Sequence, residues 1–282
     1  DLAQIEGWTV VGMIKLKPGT NFWFDASSPV AGKRFYRAVE PAVQPVANML
    51  FISPGTFVMG SPDTEVGHQI SDGPQTQVAL TKGFYIGKYE VTQAEYLAVI
   101  GSNPSFHQTP VDTSRPVEKV DWNQAMAYCA ALTTTERAAG RCPADWSYRL
   151  PTETEWEYAC RAGSSTRYSF GEDEAFLTDF AWSTTNSSDT VHPVGQKAPN
   201  AWGLHDMHGN VIEWCLDSWD LTENYPGGSV TDPLLTTGIY RRIRGGGWNY
   251  SAESMACASR SYTFPDFSSP SIGFRVTLAP GP

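Results

Sequence analysis

The chain has 282 residues, 41% of them hydrophobic and 18% charged, enough to bury a sizeable core and too apolar for a disordered segment. Its 30 acidic residues outweigh 20 basic ones, a net charge of −10 that excludes a nucleic-acid partner, because phosphate backbones call for clustered Lys and Arg. No apolar run approaches the roughly 18–20 residues that cross a bilayer, so no membrane span is expected.

Aromatic residues make up 12% of the chain, and 25 Gly with 20 Pro point to a loop-rich α+β fold rather than a helical bundle. Residues 1–46 alternate apolar and polar side chains in "WTVVGMIKL", "FWFDASS" and "KRFYRAVEP", the pattern of three short strands. Three strands are marginal alone, so this stretch is expected to be a short β segment ending an upstream β module, ahead of a main domain over 47–282. "MLFISPGTFVMGSP" then reads as strand, Pro-Gly turn and strand, and "GFYIGKYEVTQAEYLAVIG" as a strand running into a helix. Thr92 with Glu95, Asp121 with Gln124 and Thr152 with Glu155 each have the spacing of a reciprocal capping box, which fixes three helix starts. Past residue 164 helical periodicity fades, and short strands are expected at "VIEWCLDSW", "YRRIRGG" and "IGFRVTL", joined by long loops.

"PGTFVMGS", "KYEVTQAEY", "RLPTETEWEYACRAG", "PNAWGLHDMHGNVIEWC", "RGGGWN" and "GFRV" occur in the order found in the formylglycine-generating enzyme (sulfatase-modifying factor) family, which the chain resembles over roughly residues 48–278. The resemblance implies a formylglycine-generating-enzyme-like, C-type-lectin-like fold with little regular secondary structure. The family also contains siderophore-maturation oxidases, sulfur-transferring synthase domains and ligand-binding variable proteins of diversity-generating retroelements. Fold alone therefore leaves the function open.

"DMHGNVIEW" offers two carboxylates around a turn with free carbonyls, hard oxygen donors of the kind Ca²⁺ takes. By resemblance the ligands are the Asp206 side chain, the carbonyls of Met207, Gly209 and Val211, and Glu213. The family's other calcium position falls on Trp182 and near Asn186, and no second site is expected. His205 and His208 lie close by, but His68, His107 and His192 are scattered singly, so hydrogen bonding in turns is the expected role of these histidines.

Formylglycine generation needs two cysteines spaced C-x4-C behind the glycine motif, since soft thiolates suit Cu(I). In register, those positions here are Tyr250 and Met255, so neither copper nor that activity is expected. Five cysteines remain to be assigned. The resemblance pairs Cys160 with Cys257 in a disulfide closing a loop of about 97 residues; Cys129 lacks its usual mate, Cys142 is the nearest alternative, and Cys215 reads as a buried small hydrophobe. No Gly-x-Ser-x-Gly elbow, P-loop or dinucleotide fingerprint is present.

The expectation is thus a calcium-stabilised, secreted or extracytoplasmic binding or structural protein. Its ligand, a protein, peptide or glycan, would meet Tyr250, Tyr262, Phe264 and Phe267, aromatics interleaved with Ser, Thr and Asn as in adaptable recognition loops. The alternative is a divergent oxidoreductase of the same family acting on a peptide-like substrate without the copper pair.

Overall fold

The structure is a computed structural model that describes residues 45–220 and 225–281. The three strands expected within 1–46 lie outside the described residues. Val43–Pro282 form one compact unit.

Strands β1 (Met49–Ile52) and β2 (Gly55–Met59) follow each other across Ser53 and Pro54, yet they do not pair. β1 lies antiparallel to β4 (Phe84–Gly87), whereas β2 lies antiparallel to β3 (Thr76–Leu80). Three sheets result: β1-β4-β11-β5, with β5 at Trp146–Arg149 and β11 at Thr277–Pro280; β10-β6-β8-β9, built from Ile272–Gly273, Ile212–Trp219, Tyr240–Arg244 and Arg260–Thr263; and β2-β3-β7, with β7 at Ser229–Thr231.

All three helix starts expected from the capping spacings are present. In α1 (Gln93–Ile100) the Thr92 hydroxyl accepts from the Glu95 N–H and the Glu95 carboxylate accepts from the Thr92 N–H. α2 (Trp122–Ala138) opens in the same way on Asp121 and Gln124, and α3 (Glu153–Arg161) on Thr152 and Glu155. Gly101 ends α1 at φ 83°, a left-handed conformation that glycine adopts without steric cost. A short α4 (Leu177–Phe180) follows in the loop-rich half.

"IGFRVTL" is not the single strand its sequence suggests. It breaks into β10 and β11, which belong to different sheets, because Phe274, Arg275 and Val276 cross the interior between them. Here the Phe274 carbonyl accepts from the Val91 N–H and the Val276 carbonyl from the Gly87 N–H.

Two apolar clusters make the core. One packs α1 and α2 on the sheets through Tyr96, Tyr128, Leu132, Trp214 and Phe274, with the Tyr96 and Tyr128 rings stacked at 5.5 Å. The other surrounds Trp156 and Cys160 of α3. All nine residues of α3 are buried, its charges included. Glu153 binds Arg260 at 2.6 Å, Glu155 binds Arg149 at 2.6 Å, and Glu157 meets both Arg161 and Arg244. Buried charges survive desolvation only when paired and hydrogen-bonded, and this network ties the C-terminal strands to α3 where regular ladders are sparse.

Candidate functional site

The 206–213 loop brings its two acids together with a third. Asp206 and Asn210 adopt φ 60° and 67°, which folds the backbone tightly, and a Cβ at Gly209 would sit 2.4 Å from the Trp182 carbonyl oxygen. Asp206 is buried; its Oδ2 accepts from the Gly195 N–H at 2.7 Å, while its Oδ1 has no hydrogen-bond partner. Glu213 accepts from Arg275 at 2.7 and 2.6 Å and from the Trp156 indole N–H at 2.8 Å. Glu90, from the turn after β4, accepts from the Asn210 side chain at 2.8 Å and the Val211 N–H at 3.0 Å. Burial, then repulsion by Asp206 and Glu213, pushes the Glu90 carboxyl well above its ordinary range; burial lifts Asp206 to about 6. Three acids thus face one guanidinium, a cluster short of positive charge. Glu90 stands outside the sequence motif, and only its position before the β4–α1 turn brings it there. Met207 and Val211 are buried with the acids.

The glycine run positions the segment that follows. Gly245 and Gly246 have φ 99° and 68°, and a Cβ on Gly246 would lie 2.8 Å from Met255 Cγ. Met255 is wholly buried against Tyr168, Leu177 and Ala181, and Tyr250 is half-buried beside the same cluster. At the two places where the resemblance would put copper thiolates, the chain has a packed thioether and a phenol.

Cys160 and Cys257 meet as expected, with 3.6 Å between their sulfurs, and both are unbridged thiols. Cys129, Cys142 and Cys215 are also buried thiols.

Of the four aromatics expected to form a binding surface, the structure groups Tyr262 and Phe264 and separates Tyr250. Tyr262 contacts Trp219 at 4.0 Å and Tyr240 at 4.9 Å between ring centroids, and Tyr240 contacts Phe264 at 4.8 Å. Tyr262 is 39% exposed and Phe264 51%; Phe267, one turn further on, is 49% exposed. Strand alternation explains the grouping: Tyr240, Arg242 and Arg244 share one face of β8, opposite Tyr262 and Arg260 of β9. That face is buried under α3 at its Arg244 end and open at its Tyr240 end. The period-two pattern of "IYRRIR" carried this signal for Tyr240. Phe267 follows through a turn in which its N–H donates to the Phe264 carbonyl.

Residues 35–280 match the family of sulfatase-modifying factor enzyme 1-like domains. The chain belongs to that family. Among solved family-like structures, the Treponema denticola variable protein 1 is 31% identical and superposes with a TM-score of 0.73, covering 82% of this chain and 95% of its own. PvdO from Pseudomonas aeruginosa is 29% identical with a TM-score of 0.71, over 82% of this chain and 94% of its own. The formylglycine-generating enzyme of Bos taurus is 27% identical over 82% of this chain and 74% of its own length. The family thus holds, on one fold, a protein named as variable and proteins named as enzymes. Among the described residues, no helix is long and apolar enough to cross a membrane.

Proposed function

We propose that this protein is a calcium-stabilised recognition domain that binds a protein or peptide through the open end of the β8–β9 face. The observation that carries the reading is the contiguous ring cluster Trp219, Tyr240, Tyr262 and Phe264, whose last two members are 39% and 51% exposed. Exposed apolar patches of this kind mark interaction sites, and Tyr, Trp and Arg dominate binding energetics. Arg242, held 4.2 Å over Trp219, fixes the floor of the patch. Likeness to the Treponema variable protein favours recognition over catalysis, as do Tyr250 and Met255 at the positions copper chemistry would require.

Calcium fits the acidic loop. The orphaned, buried Asp206 Oδ1 is an available hard donor, and the excess of carboxylate over guanidinium asks for a cation. Asp206, Glu213 and the carbonyls of Met207, Gly209 and Val211 would hold it. Glu213 keeps its contacts to Arg275 while doing so, since each carboxylate oxygen has two lone pairs. The bound ion would neutralise the loop and fix the two segments that cross it.

The test is selection of binders from displayed peptides and cell-surface proteins on immobilised protein, followed by Phe264→Ala and Tyr262→Ala. Loss of about thirtyfold in affinity or more, with unchanged melting temperature, is the expected result. Binders whose affinity ignores both substitutions would sink the assignment of this face.

A further inference from the structure

Among the described residues, one group of three metal-binding side chains has its donor atoms all within 4.8 Å of one another: Cys160, His208 and Cys257. They come from the last turn of α3, the acidic loop and the segment entering β9, and all are buried. We infer that, with its cysteines reduced, this group binds a single structural Zn²⁺ ion that joins these three segments.

Two thiolates on one tetrahedral zinc, each at about 2.3 Å, lie about 3.8 Å apart, and a thiolate and an imidazole nitrogen lie about 3.6 Å apart. The observed separations are 3.6 Å between the sulfurs and 4.0 Å from Cys160 Sγ to His208 Nε2. The sulfurs are already at the required spacing, and the imidazole needs a shift of only a few tenths of an ångström.

The histidine is prepared on its far side. His208 Nδ1 lies 2.8 Å from the Met255 carbonyl oxygen, which can only accept, so Nδ1 carries the proton and Nε2 presents its lone pair toward the thiols. A ring nitrogen tied to a carbonyl in this way is the usual support of a metal-bound histidine. Burial holds His208 down to about 4, so the ring is neutral near pH 7 and gives up no proton on binding. The Ser169 hydroxyl, 2.8 Å from Nε2, is the nearest further oxygen to complete a closed four-coordinate site.

Charge selects the ion. Two thiolates and a neutral imidazole balance a divalent cation, so the buried site becomes neutral, whereas a monovalent ion would leave a net negative charge in the interior. Burial, then the partner thiol, raises the Cys160 thiol well above its ordinary range. Binding therefore breaks two S–H bonds, sends two protons to solvent and forms two Zn–S bonds and one Zn–N bond, with no oxidation. Sulfur ligation separates the site from the all-oxygen loop beside it.

Titration of the full chain, reduced and chelator-stripped, with Co²⁺ in anaerobic buffer containing excess Ca²⁺ tests the inference. One equivalent should produce the near-ultraviolet thiolate-to-cobalt band and tetrahedral visible bands, Zn²⁺ should abolish them, and each Zn²⁺ should release two protons near pH 7. Cys257→Ala and His208→Asn, the latter retaining an N–H for Met255, should lose or reshape the spectrum, while Cys215→Ala should leave it unchanged. The inference is overturned if the reduced wild-type chain shows no such band, if Cys257→Ala retains it unaltered, or if anaerobically isolated protein lacks two hydrogens because Cys160 and Cys257 are joined. The wild-type band and proton count need no variant to fold.

Discussion

Glu118 provides a stability test that depends on neither ligand nor metal. It is fully buried between α1 and α2; its Oε1 accepts from the His107 N–H at 2.7 Å and lies 3.5 Å from the His107 ring, and its Oε2 has no partner. Burial pushes the carboxyl from 4.5 up to about 7, against the pull of the His107 and Phe106 N–H groups and Lys119. Burial and Arg115 hold His107 below its ordinary value, so no imidazolium rescues the ionised acid. The folded chain thus keeps a proton that the unfolded chain has released. Its stability contribution is fully present below about pH 4.5 and is lost as pH rises through 7. A rise of about 2.5 units corresponds to about 3 kcal/mol, or about 6–12 °C in melting temperature for a domain of this size. Glu118→Gln imitates the protonated acid and keeps the acceptor for the His107 N–H. Melting curves from pH 5 to pH 8 in excess calcium should show the variant losing several degrees less than the wild type over the interval. Parallel slopes for the two chains would refute the reasoning.

Three further outcomes follow from the same contacts. Chelating calcium should lower the melting temperature by about 5–10 °C when the starting concentration is a hundred times the dissociation constant, equivalent to about 2.7 kcal/mol; an unchanged melting curve would count against the loop as a calcium site. Glu213→Gln strips the charge that answers Arg275 and should cost about 3–5 kcal/mol by urea unfolding, with a loss below about 1 kcal/mol showing that the pair does not hold the sheets together. Thr152→Ala removes the hydroxyl that accepts from the Glu155 N–H and should cost about 1 kcal/mol, so a neutral result would mean that the cap is replaced by another acceptor.

Features set by local chemistry were legible in the chain, and those set by long-range meetings were not. Capping boxes depend on residues three apart, so all three helix starts could be read directly. "IGFRVTL" is a short, mostly apolar run, and no periodicity could show that it leaves one sheet at Gly273 and enters another at Thr277. Asp206 and Glu213 stood out because they flank one turn, but Glu90 reaches the same site from 116 residues before Asp206. His208 was similarly read as a lone turn histidine, because the cysteines beside it lie 48 and 49 residues away on either side. Spacing within a motif could not join three such segments. The aromatic surface was half legible: alternation along β8 and β9 groups Tyr240 with Tyr262, whereas the separation of Tyr250 follows from the turn that the two left-handed glycines impose.

The distribution of buried charge explains how one face can combine a fixed interior with an open recognition end. Arg244, Arg242 and Arg260 extend from β8 and β9 toward Glu153 and Glu157, and α3 covers them completely. Removing any one of these partners leaves an uncompensated buried charge, so sequence change at that end is heavily penalised. Tyr262 and Phe264 lie on the same strand face or just beyond it, but they contact other rings and solvent, and no ion pair depends on them. Surface substitutions away from buried networks usually alter stability by less than about 0.5 kcal/mol, while loss of an exposed aromatic anchor alters binding by 2 kcal/mol or more. The backbone ladder from Arg241–Thr263 to Arg244–Arg260 persists whatever side chains the open end displays. A strand anchored by charge at one end and populated by exchangeable aromatics at the other can therefore change what it binds without changing how it folds.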